Sequence, residues 1–143
     1  MSSSRRAARE RALALLYEAD VRGVPADQVL EGLPVAPDPY AVAVVEGVAA
    51  RASEIDQLIG TYAKGWTIAR MPVVDRAVLR LGVYELLAGG DVPGGVAISE
   101  AVALASAYST DESGRFVNGL LARIAREIGS MAPPEPDPGP GSN

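Results

Sequence analysis

The sequence predicts an all-α protein, and three observations predict it. Apolar residues recur at spacings of three and four through the long segments, and no stretch reads as a strand. Glycine and proline clusters divide the 143 residues into blocks of helical length. Hydrophobic residues make up 48% of the chain but aromatics only 5%, so the core must be built mainly from Ala, Val, Leu and Ile. Such small side chains favour close helix–helix approach over a large ligand cavity. The length suits one ordinary domain or two small bundles that share an interface.

Residues 5–21 read as the first helix, because Ala8, Ala12, Leu15, Leu16 and Ala19 share a face while Arg5, Arg9 and Glu18 fall largely elsewhere. Gly23 ends it, and Pro25 opens a short second helix to residue 30. Residues 32–39 form a loop, since their three prolines withhold backbone donors and fix φ. Asp38-Pro39 then starts a helix, with the carboxylate as N-cap and proline in the first helical position. One continuous helix is expected from there to about residue 64. The Val-rich residues 41–48 would suit a strand by propensity. However, Val42, Val45, Ala49, Ala52, Ile55, Ile59 and Tyr62 hold a helical period far longer than a strand. Gly47 and Gly60 are then weak spots or points of close packing.

Gly65 closes the first half, Thr67 is placed to cap a short turn, and Met71-Pro72 forces a break. Over residues 72–88, Val74, Ala77, Val78, Leu81, Tyr84 and Leu87 make a wide apolar stripe, and residues 89–95 are a turn. Ile98, Ala101, Val102, Ala105 and Tyr108 line the next helix. Thr110 or Asp111 caps the last, where Phe116, Val117, Leu120, Leu121, Ile124 and Ile128 keep helical spacing. The Pro/Gly-rich residues 131–143 offer no apolar anchor after Met131 and are expected to be disordered. The expected organisation is one helical domain over residues 1–130, with sub-bundles at about 5–64 and 67–128.

The chain contains no Cys and no His. That removes disulfides, thiolate nucleophiles, imidazole bases and the usual zinc ligands. No phosphate loop ending in Gly-Lys-Ser/Thr and no Gly-x-Ser-x-Gly elbow occurs. No catalytic residue, metal or cofactor is therefore expected. With no apolar run of membrane-spanning length and no apolar signal core, the expected location is the cytoplasm, away from any membrane.

Net charge is −5, yet Arg5, Arg6, Arg9 and Arg11 against Glu10 give residues 1–11 a balance of +3. The remainder therefore carries −8. Such asymmetry draws an anionic partner to one end of the molecule. Arg5 and Arg9 share a helical face, and guanidinium forks match phosphate oxygens or stack on unpaired bases. An arginine-rich terminal turn can equally be ordinary solvated surface. Arg76 and Arg80, with Asp75 in the first turn of their helix, read as ordinary helix surface, as do Asp111 and Glu112 at a helix start. Asn118-Gly119 inside a helix costs propensity, so a packing or hydrogen-bonding reason is expected there.

Several segments in order carry a resemblance. The run Arg5-Arg-Ala-Ala-Arg-Glu-Arg-Ala-Leu-Ala-Leu-Leu-Tyr-Glu18, the helix Asp75-Arg-Ala-Val-Leu-Arg-Leu-Gly-Val-Tyr-Glu-Leu86, and the series Asp91-Val-Pro, Val96-Ala-Ile-Ser-Glu-Ala101 and Phe116-Val-Asn-Gly-Leu120 resemble the NusB family of bacterial transcription antitermination factors. The resemblance covers about residues 5–128. It implies two stacked three-helix bundles with an additional short helix. It also implies pairing with NusE, a small-subunit ribosomal protein, binding of boxA RNA in ribosomal RNA leaders, and loading onto the RNA polymerase antitermination complex. By position, Arg5, Arg6, Arg9 and Tyr62 match RNA-binding residues, while Asp75 and Glu112 match the NusE-facing side, where acidity suits a basic partner. Ala7 and Ala8 interrupt a run that is more continuously basic in some relatives, so RNA binding here is expected to lean on NusE. Relatives exist as monomers and as homodimers, and a homodimer could hide the RNA surface. Two other readings stand beside this one. A helical protein-interaction scaffold without RNA contact would leave the arginines idle. The NusB-like domain of ribosomal-RNA cytosine methyltransferases would need an α/β domain and a catalytic Cys.

Overall fold

The computed structural model describes residues 2–90 and 92–131; among them are seven α-helices and no strand. They are α1 (Ser2–Arg22), α2 (Ala26–Glu31), α3 (Pro39–Ala50), α4 (Ala52–Tyr62), α5 (Val73–Ala88), α6 (Gly94–Tyr108) and α7 (Asp111–Met131), with a 3₁₀ turn at Ile68–Arg70. Met131 ends α7; the rest of the expected disordered tail, and Asp91, lie outside the described residues.

Local chemistry sets most boundaries. Gly23 adopts φ +68°, a conformation side chains resist, and turns the chain out of α1. The Asp38 carboxylate accepts from the Tyr40 amide at 2.8 Å, capping α3 as expected. Of the two candidate caps for α7, Thr110 serves: its hydroxyl accepts from the Ser113 amide at 2.9 Å.

The expected continuous helix over residues 39–64 is two helices. The chain leaves helical geometry at Arg51, with φ −112° and ψ 23°. Hydrogen bonds from Arg51 N to Gly47 O and from Ile55 N to Arg51 O carry the chain through the bend. Packing supplies the reason. One straight helix over residues 39–62 would be about 36 Å long, against about 24 Å for the 16 residues of α5. By bending, α3 lies on α1 and α5 while α4 lies on α5 and α7. The buried face also differs from the stripe read in sequence. Ala41, Val44, Val45 and Val48 are buried in α3, whereas Ala52 is exposed. Gly47 is a point of close packing, since the Tyr84 ring occupies the space its Cβ would take; Gly60 is under no such constraint.

Helix α5 is the hub. It contacts α1, α3, α4, α6 and α7, and Val78, Leu79, Leu81 and Val83 are all fully buried. The stacked-bundle architecture follows, with α1, α2 and α3 packed together on one side and α6 and α7 on another. One continuous apolar core joins them.

Candidate nucleic-acid interface

The first two turns of α1 place Arg5, Arg6 and Arg9 together, but in three different environments. Arg9 is only 3% exposed. It lies on the buried side of α1 beside Ala8 and Ala12, not on the solvent side that the sequence suggested. Its Nε and Nη2 donate to the Glu85 carboxylate at 3.0 Å, and Nη1 donates to Glu100 Oε1 at 3.2 Å. Burial opposes its charge, yet the hydrogen bonds and charge of Glu85 outweigh that and hold its pKa above the ordinary value. Arg6 is largely exposed and donates to Glu100 Oε2 at 2.7 Å. That hydrogen bond holds the Glu100 carboxyl below its usual range. Arg5 lays its guanidinium over the Tyr40 ring, 4.0 Å from the centroid. The Tyr40 hydroxyl donates to Glu85, and burial, reinforced by that carboxylate, pushes its pKa up to about 12.

Three helices thus hold the cluster: α3 through Tyr40, α5 through Glu85 and α6 through Glu100. None of these three was singled out in sequence. Their signal was faint, a carboxylate flanked by apolar residues in Val83-Tyr-Glu-Leu86 and another in Ile98-Ser-Glu-Ala101. Arg6 and Arg5 present cationic surface, whereas Arg9 is committed to the interior.

Tyr62 stands in a different place, at the end of α4. The Arg123 guanidinium lies 5.3 Å from its ring centroid, and Lys64, Arg115 and Gly119 share the same shallow groove between α4 and α7. The expected packing reason for Asn118-Gly119 is absent among the described residues. Asn118 is exposed, and a Cβ at Gly119 would meet open space.

Asp75 and Glu112 line one groove of about 660 Å³. Asp75 is 1% exposed; its Oδ2 accepts from Ser113 Oγ at 2.8 Å, while Oδ1 has no hydrogen-bond partner. Glu112 is exposed at the groove's rim. Trp66 and Phe116, edge to face at 5.3 Å, supply its apolar wall. Glu112 at the rim beside an exposed indole offers charge attraction and an aromatic anchor to a basic protein, with Lys64 sharing the lining.

Arg76 and Arg80 are not the plain surface expected of them. Both donate to Asp20, and Arg80 also grips Asp56 with two bonds of 2.9 and 3.1 Å. They tie α1 and α4 to α5.

Residues 6–126 match the NusB family. The Transcription antitermination protein NusB of Thermobifida fusca (strain YX) is 53% identical over 133 residues, covering 90% of this chain and 94% of that protein. The protein of the same name from Clavibacter michiganensis is 54% identical over 132 residues, covering 86% and 96%. Among solved structures, T. maritima NusB superposes with a TM-score of 0.78 at 39% identity, covering 86% of this chain and 91% of that one. A crystal structure of the antitermination factors NusB and NusE in complex with double-stranded RNA gives 0.74 at 30% identity, covering 89% and 99%.

Proposed function

The chain belongs to the NusB family, and from that membership we propose that it is a transcription antitermination factor acting with NusE on the boxA element of ribosomal RNA leaders. The observation that carries this reading is the match to proteins of that name along nearly their whole length. The geometry gives it a division of labour. Arg5 and Arg6 offer guanidinium groups to RNA phosphates or unpaired bases. Arg9 supports them from beneath, because its own hydrogen-bonding capacity is largely spent on Glu85 and Glu100. Tyr62 offers an aromatic face, and Asp75 and Glu112 meet NusE across the groove walled by Trp66 and Phe116. Such a factor works by binding rather than by catalysis. It acts in the cytoplasm on elongating RNA polymerase.

The test is a boxA RNA titration of the full chain with and without NusE. NusE should tighten RNA binding severalfold or more. Equal affinities in its presence and absence would remove NusE from the reading, and no RNA binding in either would favour the protein scaffold.

A further inference from the structure

We propose that Glu100 of α6 sets the chain's affinity for RNA from within: its carboxylate fills the place on the Arg6 guanidinium that an RNA phosphate would take, so RNA must displace it. The inference rests on the reading that Arg6 meets RNA, and adds a residue that works against that contact.

Geometry is the first observation. Arg6 Nε donates to Glu100 Oε1 at 3.3 Å, and Nη2 donates to Oε2 at 2.7 Å. A guanidinium makes this parallel, two-pronged fit to a phosphate as well as to a carboxylate. The edge of the fork that would grip a phosphate is therefore already filled.

The second observation is which partner is free to move. The Arg6 side chain is 63% exposed and that of Glu100 only 14%. Glu100 is also tied to the buried Arg9, whose Nη1 donates to its Oε1 at 3.2 Å. Arg6 can swing out to a phosphate at little cost, as an exposed half of an ion pair. Glu100 stays behind on Arg9, because leaving would strip a partner from a buried charge.

Charge is the third observation. The groove of about 150 Å³ between α1 and α6 is lined by Arg6 and Arg9 but also by Glu10 and Glu100, so its two cations face two acids. Glu85 takes up the rest of Arg9 from α5. Much of the positive balance of residues 1–11 is thus cancelled by acids remote in sequence. A phosphate added to the outer edge of Arg6, with Glu100 still in place, would face a fixed carboxylate of like charge. That repulsion favours exchange over a bridge.

The experiment titrates boxA RNA into the full chain with NusE. It compares the unaltered chain with Glu100→Gln, Glu10→Gln, Arg6→Ala and the double variant Arg6→Ala, Glu100→Gln. Glutamine keeps a carbonyl acceptor for Arg9 while removing the charge, and circular dichroism should show unchanged helicity. Glu100→Gln should bind RNA about two- to fivefold more tightly, the range over which an exposed ion pair resists exchange. Its log–log salt slope should be steeper, because no freed carboxylate gathers cations as RNA binds. The gain should vanish once Arg6 is replaced by alanine. Glu10, which accepts from the Tyr108 hydroxyl, carries the same charge in the same groove, and Glu10→Gln should give a smaller gain.

Weaker or unchanged RNA binding by Glu100→Gln overturns the proposal; a loss would mean that the carboxylate holds Arg6 ready for RNA. A gain that persists without Arg6, or that Glu10→Gln matches, also overturns it, in favour of general charge repulsion. Failure of the unaltered chain to bind boxA RNA with NusE would sink the antitermination reading, and this proposal with it.

Discussion

Arg9 of α1 and Glu85 of α5 form a two-pronged ion pair whose side chains are 4% and 1% exposed, with Arg9 Nη2 3.0 Å from Glu85 Oε2. Glu85 also accepts from Tyr40, whose ring lies beneath Arg5. The most buried arginine of the terminal run is therefore the anchor for the exposed ones. Removing either partner alone leaves a buried charge unpaired, which costs about 3–5 kcal/mol. Arg9→Ala and Glu85→Ala should each lower the urea midpoint accordingly, while the double variant Arg9→Met, Glu85→Leu should recover most of the loss. Additive losses in the double variant would show that the two residues do not act as a pair.

Arg5 and Arg6 form the RNA-facing part of the cluster on this reading, and their removal should not unfold the chain. The double variant Arg5→Ala, Arg6→Ala should weaken boxA binding and flatten its salt dependence by about 1.4, at roughly 0.7 per phosphate on a single strand. Circular dichroism should show unchanged helicity. Undiminished RNA affinity would return these arginines to ordinary surface. A double variant that includes Arg9 would confuse the two effects, because it also breaks the buried pair.

Acid should loosen the tertiary ties before it melts the helices. Hydrogen bonds from Arg76 and Arg6 hold the carboxyls of Asp20 and Glu100 below their ordinary values of 3.8 and 4.5. A carboxyl depressed in the folded state stabilises fully above its unfolded pKa and loses that contribution as pH falls through the folded value. Denaturant midpoints should therefore hold between pH 7 and about 5 and fall steeply below about 4. Asp20→Asn and Glu100→Gln should flatten that fall. At the alkaline end the sign reverses. Tyr40, raised to about 12, keeps its proton in the fold while the unfolded chain loses it from about pH 10, so stability declines over that window. Tyr40→Phe should remove this decline, and an unaltered alkaline limb would exclude Tyr40 as its source.

Much of the fold was legible in the sequence because its punctuation is local. Gly23, Asp38-Pro39, Pro72 and Thr110 each act within a few residues. The bend at Arg51 was not legible, because no breaker marks it; it arises from the length of α5 and the need of α4 to reach α7. The arginine run was legible as charge, but helical spacing could not show which arginine faces inward. Glu85 and Glu100, 76 and 91 residues away in sequence, decide that. The Asn118-Gly119 oddity was visible in sequence, but that it packs against nothing became clear only in three dimensions.

Asp75 and Glu112 share the groove proposed for NusE but should respond differently to substitution. Glu112 is exposed, so Glu112→Gln should leave stability within about 0.5 kcal/mol. Its effect on NusE binding should appear chiefly as a slower, less salt-sensitive association. Asp75 is buried, with one oxygen held by Ser113 and the other unpartnered. A donor from NusE that reached this second oxygen would satisfy a group now left at a cost of about 1–3 kcal/mol. Asp75→Asn keeps the shape but turns part of the acceptor set into a donor. It should raise the dissociation rate of NusE by about tenfold or more, with little change in association. Rates measured by surface capture of NusE separate the two roles. If Asp75→Asn and Glu112→Gln both slowed only association, Asp75 would be acting through its charge alone, and its unpartnered oxygen would have no part in recognition.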